Sequence, residues 1–150
     1  MTPASIQIVR VSAALPDGFE ALRQEAAGED YAFLDRLTDE VARGDYAGDG
    51  DLPVLFAAFA EGELAGLGGL TPDPYDPEPD LARLRHVYVR PAWRRHGVGR
   101  AIAAALIQQG FAVAARLSLR AADDRAAAFW DSEGFRRDLS GATRTHLLER

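Results

Sequence analysis

The stretch from Leu81 to Gly134 constrains the fold more than any other, because its hydrophobic period changes repeatedly within one continuous segment. Leu81–Val89 (LARLRHVYV) ends in β-branched and aromatic residues and reads as a strand, which Pro91 stops. Gly97–Ala114 follows at helical spacing, with Val98, Ile102, Ala105, Leu106 and Gln109 along one stripe. Arg116–Ala121 (RLSLRA) alternates, placing Leu117 and Leu119 on one face of a strand. Asp123 or Asp124 then caps a short helix through about Ser132, and Gly134 closes it. Strand, helix, strand, helix in that order places the chain in the α/β class.

The flanking segments complete the sheet. Ser5–Ser12 (SIQIVRVS) reads as an opening strand, and Asp17 stands where the cap of a first helix carrying Phe19, Leu22 and Ala26 belongs. A second helix, Tyr31–Ala42, is predicted to end at Gly44. Val54–Ala60 and Glu63–Leu70 make a hairpin across Glu61-Gly62, and the glycines at 66, 68 and 69 predict a bulge or a close backbone approach. Thr71–Asp80, with four prolines and four acids in ten residues, reads as a stiff acidic loop of solvated surface, or as a lure for a cationic acceptor. Phe135–Leu139 and Ala142–Leu148 are the last two strands. The expectation is one domain over residues 1–150: a single mixed, mostly antiparallel sheet of about seven strands flanked by about four helices.

Composition narrows the function. At 47% hydrophobic and 27% charged residues, the balance is that of a soluble globular protein. The absence of cysteine excludes a disulfide framework, a thiolate zinc site and a cysteine nucleophile. A net charge of -6 has the wrong sign for gripping nucleic acid through its phosphates. MTPASIQIVR lacks the apolar core of a secretory signal, and no run is long enough to span a membrane, so a cytoplasmic protein is expected.

Against that acidic background, Arg90, Arg94, Arg95 and Arg100 reverse the charge locally. Gly97 and Gly99 stand among them at the start of a helix. The first turn of a helix offers unpaired N–H groups and the positive end of its dipole, and glycines let a diphosphate approach the backbone. Such glycines can also be no more than a tight turn among solvated arginines. Strand, proline, paired arginines and glycine nest in register favour phosphate binding. The segment matches neither a Walker loop nor GxGxxG.

Arg94-Arg95-His96-Gly97-Val98-Gly99 resembles the R/Q-x-x-G-x-G/A motif of the GCN5-related N-acetyltransferases, the GNAT superfamily. Val87-Tyr88-Val89-Arg90-Pro91 resembles the strand that precedes it there. Asp123–Phe135 (DDRAAAFWDSEGF) is similar to the family's second signature, N-x-x-A-x-x-x-Y-x-x-x-G-F. The resemblance implies a GNAT-like fold and acetyl-CoA as acyl donor, with no metal. It implies direct attack by a primary amine of a small molecule or peptide. Val87, Tyr88 and Val89 would lie along the pantetheine arm. Arg94, Arg95, His96, Gly97, Val98, Gly99 and Arg100 would cradle the pyrophosphate, with Asp123 and Ala126 beside it. Asp123 replaces the signature asparagine, and Trp130 stands at the family's tyrosine position, where indole cannot supply a proton.

His86 is the titratable candidate for general base, since histidine ordinarily titrates near pH ~6.5; a histidine packed for structure is the competing reading. His96 is expected to face phosphate, and His146 to be core or substrate wall. A non-catalytic acyl-CoA-binding or sensing module on the same fold is the alternative function, and a protein binding another diphosphate is a third. Pairing through the last strands would make a homodimer.

Overall fold

A computed structural model describes residues 5–150; the reading of the first four residues lies outside it. Alternation in the opening segment gives β1 (Ile6–Val11), which pairs with the apolar run β2 (Val54–Ala60). The remaining strands are β3 (Glu63–Pro72), β4 (Leu81–Val89), β5 (Arg116–Leu119), β6 (Arg136–Arg137) and β7 (His146–Glu149). They form one sheet in the order β1-β2-β3-β4-β5-β7-β6, antiparallel throughout except between β4 and β5. Four helices join them: α1 (Phe19–Gly28), α2 (Phe33–Ala42), α3 (Val98–Phe111) and α4 (Asp124–Ser132). This is the expected architecture. Among the described residues no helix is long and apolar enough to cross a membrane.

Strand alternation divides the core into two layers. Leu55, Ala57, Leu67 and Tyr88 face α1 and α2, where they meet Phe19, Leu22, Leu34 and Leu37. Val54, Ala58, Leu70 and Leu84 face the other way and meet Ile102 and Leu106 of α3 and Trp130 of α4. The central strands are therefore covered on both sides.

Several local expectations change. The cap of α1 is Gly18 in the left-handed region (φ 93°), not Asp17, because the chain enters through a main-chain turn in which Phe19 N–H donates to Pro16 O. On α3, Gln109 leaves the buried stripe to donate to Asp51 O, and Ala103 and Gly110 take its place in the core. The last two strands shorten to two and four residues. Asp138 turns the chain between them by accepting from Ser140 N–H, and Arg144 lies buried near Asp76, Glu78 and Asp138.

Most of the acidic loop is exposed, as expected of solvated surface, and Asp73 is the exception. Asp73 is buried, accepting from Ser118 Oγ at 2.6 Å and from the N–H groups of Tyr75 and Asp76. Burial alone would raise its carboxyl, but these bonds hold it below its ordinary value.

The glycines of β3 provide the close approach. A Cβ on Gly68 would sit 2.8 Å from Ile102 Cγ2 and 2.9 Å from Leu106 Cδ1, so a bare backbone at this point sets how near α3 lies to the sheet. Gly68→Ala is expected to cost roughly 1–3 kcal/mol by overpacking and to lower Tm by about 2–10 °C. A thermal melt of the variant that overlays the native one would contradict this packing.

Candidate active site

β4 is where the sheet departs from regularity. Leu67 pairs with Tyr88 and Gly69 with Arg85, so Gly68 alone stands opposite both His86 and Val87. His86 absorbs the extra residue at φ 61°, a left-handed conformation that costs a non-glycine residue about 1–2 kcal/mol. The bulge breaks side-chain alternation. Consecutive residues Arg85 and His86 both reach Glu40 of α2, at 3.4 Å and 2.9 Å.

Just before the bulge, β4 and β5 part. Their parallel ladder runs from Leu81↔Arg116 to Arg83↔Ser118 and stops. Arg90 N–H donates to Ala65 O across β3, so the antiparallel alternation turns the main-chain groups of Val89 and Val87 toward the gap. An extended chain could pair with such an edge as an added strand.

The gap opens onto the start of α3. Gly97, at φ 85°, caps the helix with no side-chain bond, and no acidic residue occupies the first turn. The first intrahelical donor is Ala101 N–H to Gly97 O, which leaves the N–H groups of Val98, Gly99 and Arg100 without a helical acceptor. A Cβ on Gly99 would come within 3.3 Å of Phe129, so this glycine lets α3 lie close to α4. The resulting groove, about 840 Å³, is lined by residues that include Val87, Tyr88, Val89, Arg94, Arg95, Gly97, Gly99, Arg100, Ala126 and Trp130. A smaller cavity of about 440 Å³ adjoins it across Phe33, Val87, Ala122, Ala126 and Trp130.

The structure thus gathers most of the residues singled out from the sequence, with specific differences. The Arg94 guanidinium is clamped on Glu29 by bonds of 2.7 and 2.8 Å and donates to Val89 O, so it ties the groove's floor to the end of α1. Arg90 is similarly held by Glu25 at 2.6 Å. The exposed cations at the nest are Arg95 and Arg100; the latter side chain is 82% exposed and only 3.8 Å from Glu133. His96 lies outside the groove lining, edge-on to Trp93. The Val98 side chain is core, so only its main chain faces the nest.

Asp123 caps α4 by accepting from Ala126 N–H at 2.9 Å, and its other oxygen accepts from Tyr31. The Tyr31 hydroxyl and the cap hold the Asp123 carboxyl below its ordinary value. Trp130, 5% exposed, is wedged between Phe129 and Phe135 and borders both cavities. Tyr88 is buried on the α1 side, donates to Glu29, and has its hydroxyl pushed up by burial and by that carboxylate. His146 is core, bonded to Asp131 and Thr145.

His86 lines the smaller cavity and is 7% exposed. Its Nε2 bonds Glu40 at 2.9 Å, and its Nδ1 is buried with no partner. Burial alone would raise the Glu40 carboxyl, but His86, Arg85 and Arg43 together hold it below its ordinary value. An ionised carboxylate only accepts, so Nε2 carries a proton, and in the neutral ring Nδ1 is the nitrogen left with a lone pair. Glu40 and Glu29 had no signal in the sequence. Glu40 lies on α2 and Glu29 just past the end of α1, and their partners lie 46 and 65 residues away.

The model of the Acetyltransferase (GNAT) family matches residues 19–135. No curated protein matches the chain's sequence. A solved structure from Exiguobacterium sp. 255-15, assigned as an acetyltransferase, is 26% identical with TM-score 0.82, covering 97% of this chain and 93% of that one. Likeness in fold alone extends to the ribosomal-protein-S18-alanine N-acetyltransferase of Escherichia coli, at 20% identity, TM-score 0.64 and coverage of 95% and 91%. It extends also to a Desulfovibrio desulfuricans structure assigned to the GNAT family, at 16% identity, TM-score 0.70 and coverage of 97% and 99%.

The Glu29 clamp carries a pH signature. The bidentate Arg94 bond, assisted by the Tyr88 hydroxyl, outweighs burial and depresses the Glu29 carboxyl to about 2 from an ordinary 4.5. A carboxyl depressed in the folded state contributes stability that is complete above its unfolded value and lost as pH falls through the folded one. Urea unfolding of Glu29→Gln is expected to show a loss of about 1–3 kcal/mol at pH 7, shrinking between pH 4.5 and pH 2. A gap between variant and native protein that stays constant with pH would show that the clamp does not act through this ionisation.

Proposed function

The chain belongs to the GNAT family of acetyltransferases, and from that membership we propose that it moves an acetyl group from acetyl-CoA to a primary amine of a small molecule or peptide, with both substrates bound together. The observation that carries this reading is that the parting of β4 from β5 and the uncapped start of α3 open into one groove. The main-chain groups of Val87 and Val89 suit the amide-bearing arm of a pantetheine, and the free N–H groups at α3 suit a diphosphate.

Bound acetyl-CoA supplies an activated thioester whose thiolate is a tolerable leaving group. The chain's residues do the rest. Val89 O is already taken by Arg94, which leaves its N–H, with that of Val87, to orient the arm and polarise the acyl carbonyl. The N–H groups of Val98, Gly99 and Arg100, with the Arg95 and Arg100 side chains, hold the diphosphate. Arg94 is a positioning residue that fixes the loop on α1. Asp123 shapes the wall by capping α4, and it consumes the Ala126 N–H in doing so. His96 contributes through its edge contact with Trp93, which orders the turn before the nest.

His86 is the general base of this reading. Glu40 fixes the tautomer that leaves Nδ1 able to take a proton from the substrate ammonium, directly or through one water. Trp130 has no acidic proton and serves as the wall between the two cavities.

Calorimetric titration with acetyl-CoA, with NADPH and ATP as competing diphosphates, tests the donor half. A micromolar or tighter dissociation constant for acetyl-CoA is expected. Gly97→Glu, which forces a carboxylate into the nest at a left-handed position, should weaken binding at least ~10-fold. Gly97→Ala separates the backbone effect from the charge. Undiminished affinity in Gly97→Glu would move the diphosphate elsewhere.

The base is tested by pH profiles. His86→Gln is expected to lower kcat/KM by about 10²–10⁴-fold and flatten the rise with pH, while leaving acetyl-CoA affinity intact. Glu40→Gln should lower kcat/KM in the same direction. A His86→Gln enzyme that keeps the native pH limb would remove His86 from this role.

A further inference from the structure

The smaller cavity has a charge character unlike the rest of the molecule. In a chain of net charge -6, no acidic side chain lines it and four arginines do: Arg36 of α2, Arg83 and Arg85 of β4, and Arg120 just beyond β5. Two carboxylates stand behind them. Glu40 is 3.4 Å from Arg85 but is shared with His86, and Asp73 is 3.6 Å from Arg83. Among the described residues Arg36 and Arg120 have neither an ion pair nor a hydrogen bond. Positive charge is therefore in excess at the mouth and incompletely neutralised at the base.

Unpartnered polar atoms mark the same place. Arg83 Nη1, His86 Nδ1 and Thr143 Oγ1 are each buried without a hydrogen-bond partner, and all three residues line this cavity. Folded proteins rarely leave such atoms orphaned, and three of the six among the described residues belong to side chains of this one cavity. Arg83 is 5% exposed, and its guanidinium lies over the Tyr75 ring at 4.6 Å, which fixes the plane it presents. Burial works against its charge more than Asp73 relieves it.

The acidic loop beside the cavity does not offset this excess. Asp73 is spent on Ser118, Asp76 accepts from Ala142 N–H, and Glu78 pairs with Arg116 and Arg144. A polyamine or another purely cationic amine would meet arginines here and repulsion.

We propose that this cavity receives the acceptor, and that the acceptor carries an anionic group, a carboxylate or a phosphate, within a few bonds of its amine. The inference rests on the transferase reading above and adds the class of amine. The anion would lie against Arg83, Arg120 and Arg36, where planar guanidinium groups suit carboxylate and phosphate oxygens. The ammonium would lie at the His86–Glu40 corner, beside the Val87–Trp130 opening to the donor groove.

Calorimetry on the CoA-loaded protein tests this with matched pairs: β-alanine against β-alanine amide, and O-phosphoethanolamine against ethanolamine. The anionic member of at least one pair is expected to bind ten-fold or more tightly than its neutral-tailed counterpart, and the pair showing the contrast identifies the anion. Arg36→Ala and Arg120→Ala are expected to weaken the anionic member about five-fold or more. Neither variant should move the neutral-tailed member or the CoA titration, and Arg120→Lys should restore part of the loss. Absence of contrast in both pairs, tighter binding of the neutral-tailed members, or variants indistinguishable from the native protein would overturn the proposal. If CoA does not bind, the transferase reading fails by itself. The contrast is then read on the free protein, where it still decides the character of the cavity.

Discussion

At the bulge in β4, one extra residue is accommodated by His86 at φ 61°, and most of the site's geometry depends on it. A regular strand would send Arg85 and His86 to opposite faces of the sheet; here both meet Glu40. The kink falls only a few residues beyond the last β4–β5 pair, Arg83↔Ser118, so the strand leaves its parallel neighbour as its twist increases. An open backbone edge, an unpartnered histidine nitrogen and the passage between two cavities arise together at this one irregularity. Two devices hold it. Glu40 anchors the bulge from α2, and Gly68 leaves room on the opposite face for α3 to press against the sheet.

Charge is arranged around this site at close range, not through the net balance. Several of the acids nearest the site are committed to particular arginines. Glu25 and Glu29 at the end of α1 hold Arg90 and Arg94, and Asp76 and Glu78 hold Arg144. These pairs fix loops whose positions matter, and they leave Arg95 and Arg100 outside the donor groove's clamps and Arg36 and Arg120 at the second cavity. A protein of net charge -6 can thereby offer two positively charged concavities, because the field that an anion meets in a recess is set by the few groups around it. The commitment of Arg94 to Glu29 also means that the glycine nest relies more on main-chain N–H groups than a count of nearby arginines suggests.

What the sequence disclosed and what it hid follow from the range of the interactions. The strand into Pro91, the left-handed Gly97 and the Asp123 cap are written in neighbouring residues, and each appears where the local pattern put it. Glu40 on His86, Glu29 on Arg94 and Asp73 on Ser118 join residues 46, 65 and 45 positions apart, and nothing local distinguishes these acids from solvated ones. The same limit explains the acidic loop. Its prolines, Glu78 and Asp80 are the surface that the composition suggests, whereas Asp73 is drawn inside by a partner, Ser118, that no local pattern announces. The end strands shortened for a related reason: a two-residue β6 is maintained by its pairing with β7, not by its own pattern.

The substitution of Trp130 for the tyrosine of the family signature gains a physical sense from its surroundings. Its ring meets Phe129 and Phe135 edge-to-face at 4.9 and 5.2 Å, an aromatic cluster that supports the wall common to the two cavities. A hydroxyl there would bring a polar group into a largely apolar packing arrangement, and indole brings more buried area instead. The consequence under the proposed chemistry is a division of labour. Proton transfer is concentrated on the amine side of the wall, at His86 and Glu40, and the donor side is left to main-chain dipoles and exposed arginines. A thioester tolerates that asymmetry because its leaving group needs little help, whereas an ammonium cannot attack until it has lost its proton. The second cavity, where that proton would be lost in this reading, is also lined by Arg83, His86 and Thr143, each with a buried polar atom left unsatisfied.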